Sequence, residues 1–279
     1  MTVAEWLAGA VNALEASSCP DPQVDARWIA EDMLHMTAAE LRFAAQNELT
    51  AEQLNVLDEC LRRRESGEPV QYILGTADFM GLKFHVDKRV LIPRQDTETL
   101  VEAAIIELQS REDKKVLDLC TGSGAIGLSI KSLVPDADVT LSDISGDALE
   151  VASKNAHALS LNVTIRHGDL FKAVGKEKFD LIASNPPYLR TDEMEELQQE
   201  VRHEPALALE AGERGMDFYE RIAEEAPKHL KSGGAIYLET GCEQAQDVLE
   251  LLKKHLDVQA SGIIRDLCGI ERIAWARSK

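Results

Sequence analysis

Gly122, Gly124 and Gly127, within VLDLCTGSGAIGLSI, spell G-x-G-x-x-G at the point where a hydrophobic run turns into a helical one. Glycines at this spacing let a strand turn tightly into a helix whose N-terminus and backbone N–H groups face a ligand. Asp143 follows about twenty residues on, at the end of the next hydrophobic run, where a carboxylate accepts hydrogen bonds from ribose hydroxyls. The pair points to an adenosine-type ligand and leaves open whether it is a nicotinamide dinucleotide or S-adenosylmethionine. A second group, Asn185-Pro186-Pro187-Tyr188, follows the hydrophobic strand FDLIAS. Its two prolines fix φ and withhold two backbone donors, so the Pro186 carbonyl can point rigidly into a pocket. Asn185 adds an acceptor oxygen and Tyr188 a flat face.

The elements that must position these groups alternate from Lys115 onward. Strands are predicted at Lys115–Cys120, Val139–Asp143, Val163–His167, Phe179–Asn185 and Ala235–Thr240, with two more at Val258–Arg265 and Glu271–Ala276. Helices are predicted at Gly124–Val134, Ser145–Leu159, Phe218–Lys231 and Glu243–Leu256. Such alternation predicts a parallel sheet wound on both faces. In the order 3-2-1-4-5, strands 1 and 4 flank the topological switch point, which sets the Asn-Pro-Pro-Tyr turn beside the glycine loop. Before this region the chain reads as helices: apolar residues recur at 3–4 spacing around Trp6 and Trp28, and Thr37 and Thr50 stand as N-caps with Glu40 and Gln53 three residues on. QYILGTADFMGLKFHV, β-rich around Gly75 and Gly81, predicts a hairpin. The expected domains are a helical one over 1–70, a β-hairpin linker over 71–90 and an α/β domain over 91–279.

Thirty Lys and Arg against 49 Asp and Glu leave a net charge of −19 on 279 residues, with −8 already on the first 85. Neither part is a basic module, and Arg62-Arg63-Arg64 is expected as a solvated helix end, so nucleic acid is disfavoured as a partner. Cys19, Cys60, Cys120, Cys242 and Cys268 are odd in number and show no C-x-x-C, which predicts a reducing compartment and no structural metal. No apolar run reaches the roughly 18 residues needed to span a bilayer, and no basic-flanked leader is visible. A soluble, cytoplasmic protein is expected. Asp169, Asp180 and Glu239 end strands and are expected in structural roles. The stretch TDEMEELQQEVRHEP is either a lid or a solvated acidic helix, and Arg94 and Glu98 either brace it or pair with each other.

The two motifs together resemble class I S-adenosylmethionine-dependent methyltransferases that modify planar amino or amide nitrogens. Six segments, ESGEPVQYILG, LIPRQDTETLVE, LDLCTGSGAIGLSI, SNPPYL, VRHEPALAL and RDLCGIERIA, occur in the order found in the release factor glutamine methyltransferases, the PrmC/HemK family. The resemblance covers nearly the whole chain. Family members usually have Gly where Cys120 stands and Pro where Gln95 stands.

The resemblance implies a Rossmann-like, doubly wound, mostly parallel seven-stranded sheet with a small N-terminal helical domain. It implies methyl transfer to the side-chain amide nitrogen of the Gln in the Gly-Gly-Gln motif of class I peptide release factors. Asn185 and the Pro186 carbonyl would accept the two amide hydrogens, with Pro187 and Tyr188 completing the substrate site. Cys120, Thr121, Gly122, Ser123, Gly124, Asp143 and Leu170 would hold S-adenosylmethionine, with Asn185 near both ligands, and the helical domain would dock the partner. An amide nitrogen is a poor nucleophile and the sulfonium methyl is already electrophilic, so positioning carries most of the catalysis.

Overall fold

The computed structural model describes all 279 residues, which form two compact units: Met1–Thr76 with Gln198–His203, and Ala77–Leu197 with Glu204–Lys279.

The first unit contains α1 (Val3–Ala16), α2 (Pro22–Leu34), α3 (Ala38–Phe43), α4 (Ala51–Glu65) and α5 (Val70–Leu74). Thr37 and Thr50 cap α3 and α4 in reciprocal boxes with Glu40 and Gln53, each cap contributing about 1 kcal/mol. Thr2 and Glu5 form a third box that the sequence reading passed over. Trp6, Ile29 and Leu57 share one core, and the Trp6 indole N–H donates to Asp58 at 2.9 Å. The basic run is not simply a solvated helix end. Arg64 is 3% exposed, paired with Asp25 at 2.6 Å and with Glu200, while Arg62 and Arg63 stay outside on Glu59 and Glu68. A second correction concerns QYIL, expected as β: Val70–Leu74 is a short helix, entered from Pro69 and closed by Gly75 at φ +73°. Proline before and glycine after are helix boundary signals that outweigh the β propensity of Tyr and Ile in so short a run.

The second unit begins within the hairpin of β1 (Thr76–Phe79) and β2 (Leu82–His85). Met80 and Gly81 turn it with φ of +51° and +72°, and Phe79 and Phe84 meet edge to face at 6.0 Å inside the core. There follow α6 (Glu98–Gln109), β3 (Lys115–Leu119), α7 (Ala125–Leu133), β4 (Asp138–Asp143), α8 (Gly146–Ala158), β5 (Thr164–His167), β6 (Phe179–Ser184), α9 (Asp217–His229), β7 (Leu230–Glu239), α10 (Ala245–His255), β8 (Val258–Arg265) and β9 (Glu271–Ser278).

One seven-stranded sheet runs in the order β5-β4-β3-β6-β7-β9-β8. The pairs from β5 to β7 are parallel and those involving β9 antiparallel, so the expected 3-2-1-4-5 core order is present. Alternate residues feed opposite faces: Val116, Leu181 and Tyr237 join α6, α7 and α8 in one core, and Leu117, Ile182 and Leu238 join α9 and α10 in the other. All six residues of β6 are buried, so the turn that follows it hangs from a strand enclosed on both faces. β7 starts earlier than expected, at Leu230. A bulge between its pairings with Phe179 and Leu181 absorbs Gly233 at φ +70° and Gly234, whose added Cβ would meet Lys231 O at 2.8 Å. TDEMEELQQEVRHEP forms 3₁₀ turns at Glu193–Glu195 and Val201–His203 rather than one helix. No helix is long and apolar enough to cross a membrane.

Candidate active site

The carboxyl ends of β3, β4 and β6 converge on a cleft whose lining includes Thr121, Gly122, Asp143, Ile144, Asn185 and Phe218. Each wall has a local cause. After β3 the chain passes through Cys120 at φ +60°, Gly122 at +54° and Gly124 at +86° before α7 begins. Left-handed backbone is cheap for glycine and costs about 1 kcal/mol or more for other residues, so Cys120 occupies a position where glycine would sit without strain. The outer glycines do different work. A Cβ on Gly122 would meet nothing within 4 Å, whereas one on Gly127 would lie 2.2 Å from Leu141 and 2.9 Å from Asp118. Gly122 leaves the cleft floor open; Gly127 lets α7 lie against the sheet.

Asp118 buttresses this turn from beneath. Its Oδ2 accepts from the Thr121 hydroxyl and from the Gly127 N–H at 2.8 Å, while Oδ1 is buried without a partner. Burial, opposed by those two donors, pushes its carboxyl up to about 7. Asp143 ends β4 facing the cleft. Oδ2 accepts from Gly122 N–H and Oδ1 from Ser145 N–H, both at 2.9 Å. Burial nevertheless raises its carboxyl above the ordinary range. Each oxygen keeps lone-pair capacity, so a ribose diol arriving in the cleft meets an acceptor held in place by backbone. Ile144, 47% exposed, adds an apolar face beside it.

The Asn-Pro-Pro-Tyr turn forms the facing wall. The Ser184 hydroxyl donates to Leu119 O, tying the end of β6 to the glycine turn. Asn185 borders the cleft, and its Nδ2 donates to Thr97 Oγ1 at 3.3 Å. Pro186 and Pro187 are buried, and of the two only Pro187 lines the cleft. Tyr188 backs the turn instead of lining the cleft. Its ring packs on the core under α9, its N–H donates to Leu209 O at 3.2 Å, and its carbonyl accepts from Gln244 at 3.1 Å. Burial pushes its hydroxyl up to about 12.

Of the residues expected around the cofactor, Cys120, Thr121, Gly122, Ser123, Asp143 and Asn185 border the cleft, whereas Gly124 caps α7 and Leu170 does not line the cleft. Leu170, at φ +48°, lies in the core with Phe171 and Val174. Arg94 and Glu98 do not pair with each other; Arg94 braces the stretch TDEMEELQQEVRHEP as expected, through Glu204, and Glu98 does not. Arg94 pairs with the buried Glu204, whose Oε2 accepts from Ile92 N–H at 3.0 Å, and Glu98 accepts from Met80 N–H at 2.7 Å. The motifs IPR and HEP, more than a hundred residues apart, are thereby joined at one carboxylate. Asp169 and Asp180 serve as anchors: the first holds Arg221 and Lys172, the second the Lys115 N–H and Lys231. Thr97, Ile144, Phe218 and Glu204 were missed from the sequence. Ile144 carried a signal, as an apolar residue directly after a strand-ending carboxylate; the others become visible only when distant segments meet.

Residues 5–75 match the PrmC N-terminal domain and residues 96–213 the Methyltransferase small domain. The chain is 46% identical over 211 residues to the release factor glutamine methyltransferase of Clostridium acetobutylicum, covering 74% of each chain. It is 39% identical over 280 residues to that of Koribacter versatilis, covering 99% of each, and 36% identical over 283 to that of Moorella thermoacetica, covering 100% of each. Among solved structures, a methyltransferase from Pyrococcus furiosus gives a TM-score of 0.51 at 20% identity, covering 71% of this chain and 89% of that one. The 16S rRNA N2 G1207 methyltransferase of T. thermophilus, solved with AdoMet and guanosine, gives 0.53 at 18%, covering 73% and 50%. At such identities the likeness is one of fold. On the full-length relatives, the chain belongs to the release factor glutamine methyltransferase family.

Proposed function

We propose that this protein transfers a methyl group from S-adenosylmethionine to the side-chain amide nitrogen of the Gln in the Gly-Gly-Gln motif of class I peptide release factors. One observation carries the reading: Asn185 borders the cleft with its Nδ2 engaged by Thr97, which leaves Oδ1 as an acceptor for the substrate. S-adenosylmethionine, held by Cys120–Gly124 and Asp143, supplies an electrophilic sulfonium-bound methyl.

The chain's own residues do the rest. Asn185 Oδ1 and the Pro186 carbonyl accept the two amide hydrogens, aim the nitrogen, and stabilise positive charge as it develops there. Pro187 and Tyr188 stiffen the turn that carries both acceptors. No side-chain base strong enough to deprotonate an amide is needed, because transfer to a neutral amide nitrogen leaves a proton that departs readily afterwards. The helical domain over 1–70 docks the release factor, with the hairpin over 71–90 as the connection. A net charge of −19 favours a basic protein partner over nucleic acid, in the cytoplasm, where translation termination takes place.

The test is incubation of the protein with labelled S-adenosylmethionine and a class I release factor. Label is expected on one Gln and should vanish with a Gly-Gly-Ala substrate; equal labelling of that substrate rejects the reading.

A further inference from the structure

Asn155, on the buried face of α8, is 1% exposed, and its side-chain amide makes three hydrogen bonds to backbone. Oδ1 accepts from His85 N–H at 2.7 Å, and Nδ2 donates to His85 O at 3.0 Å and to Ser123 O at 2.9 Å. These partners force the orientation of the amide, since one N–H needs an oxygen and two carbonyls need hydrogens. No hydrogen of the amide is left over.

The two backbone partners belong to different walls of one cleft, although neither Asn155 nor His85 lines it. Ser123 lies in the glycine turn and borders the cleft. His85 ends β2 and leads into the stretch 86–94, of which Arg89, Val90, Leu91, Pro93 and Arg94 line the same cleft. That stretch buries Val86, Val90 and Ile92, and Glu204 holds its far end through Ile92 and Arg94. Nearer its start, Arg89 reaches Glu150 of α8 at 3.0 Å, but the Glu150 side chain is 72% exposed, and so exposed a pair holds little. Asn155 is the buried tether. α8 lies close enough for this because a Cβ on Gly124 would come within 3.4 Å of the Ala152 Cβ, one turn before Asn155.

Resting on the reading of this cleft as the S-adenosylmethionine site, we propose that Asn155 is a positioning residue for the cofactor. It clips the glycine turn to the start of the 86–94 wall and so holds the cleft in the shape the cofactor fits. Without the Nδ2 donor the Ser123 carbonyl loses its partner. The Ser123–Gly124 peptide then rotates, because Gly124, at φ +86°, has backbone freedom that other residues lack. The turn spends time in arrangements that do not receive the cofactor, and apparent affinity falls by the competent fraction. Neither the reacting amide nor the release factor is touched, so the loss is confined to the cofactor.

Calorimetry with S-adenosylhomocysteine and steady-state methyl transfer test the clip. Asn155→Asp keeps an oxygen for His85 N–H but turns a second oxygen toward two carbonyls; Asn155→Ala removes all three bonds. Both should raise the S-adenosylhomocysteine Kd and the S-adenosylmethionine KM about tenfold, the scale of one buried acceptor left unsatisfied. The kcat at saturating cofactor and the KM for the release factor should change less than about twofold. Leu252→Ala, a core truncation on α10, reports the effect of lost stability alone: its urea midpoint should fall and its Kd should not change. Should neither Asn155 variant fold, the unaltered protein decides. In its ¹H–¹⁵N spectrum, S-adenosylhomocysteine should shift the Asn155 NH₂ pair and His85 N–H together with the Gly122 and Gly124 N–H groups. Shifts at the glycine turn that leave Asn155 and His85 unmoved overturn the clip, as does an unchanged Kd in a folded Asn155 variant or an equal loss of affinity in Leu252→Ala. If affinity and shifts follow as described but no Gln is methylated, the functional reading fails and the clip stands. If the unaltered protein methylates the Gln and the Asn155 variants keep their cofactor KM, only the clip fails.

Discussion

Two side chains carry the site's opposite tasks. On the proposed function Asn185 acts chiefly on the reacting amide, so its truncation is expected to cut kcat/KM by about 10²–10³, the usual cost of removing one preorganised group that stabilises developing charge. S-adenosylhomocysteine affinity by calorimetry should change by less than a few-fold, and a comparable loss in both would mean that Asn185 holds the cofactor instead. Asp143 has the reverse signature. Its carboxylate accepts from the Gly122 and Ser145 N–H groups and keeps lone pairs for a diol. Asp143→Asn exchanges a charged acceptor for a neutral amide, which in calorimetry should weaken S-adenosylhomocysteine by about 1.5–3 kcal/mol, the range for hydrogen bonds to charged groups. The types of both residues were legible in the sequence. What was hidden is the state of Asn185: its orientation depends on Thr97, 88 positions away, and no local pattern reports on that.

At the level of elements, the glycine turn separates ligand binding from packing. Gly127 sits on α7 where a methyl would collide with Leu141 and Asp118. Gly127→Ala is therefore expected to destabilise the protein by about 1–3 kcal/mol, as overpacking of a well-filled core does, read as a lower midpoint in urea unfolding. An unchanged midpoint would show that α7 shifts freely. The sequence pattern placed the strand–turn–helix unit correctly because steric needs of a tight turn are written locally. It failed at QYIL, where apolar and β-branched character pointed to a strand while Pro69 and Gly75 marked a helix of five residues. Leu170 was also placed by the fold in a way the sequence did not show. Its position after β5 resembles a cofactor contact, yet the 3₁₀ turn from Leu170 to Ala173 directs it into the core with Phe171.

For the molecule as a whole, two buried carboxyls set how stability responds to pH. Asp118 and Glu239 both sit near 7 in the folded state against ordinary values of 3.8 and 4.5. Between those values the folded protein holds protons that the unfolded chain has released, so stability falls as pH rises through the window from about 4 to 7 and levels off above it. Thermal melts should show Tm declining from pH 5 toward pH 7.5. Asp118→Asn, which keeps an acceptor for Thr121 and Gly127 without a charge, should flatten that decline and raise Tm above pH 7. A steeper slope in the variant would mean that the ionised form of Asp118 is the stabilising one.

Composition, periodicity and short motifs determined the class of this protein: a doubly wound sheet preceded by helices, a glycine turn with a strand-ending carboxylate, and an Asn-Pro-Pro-Tyr turn beside it. These follow from interactions a few residues long, namely turn sterics, capping and the alternation of apolar positions. Only the tertiary structure decided that Glu204 joins Arg94 to Ile92, that Arg64 lies inside beside Asp25, and that Asn185 meets Thr97. Each of those depends on burial and on the register of segments far apart in the chain. A charged or polar residue reads the same in sequence whether water or a single buried partner surrounds it.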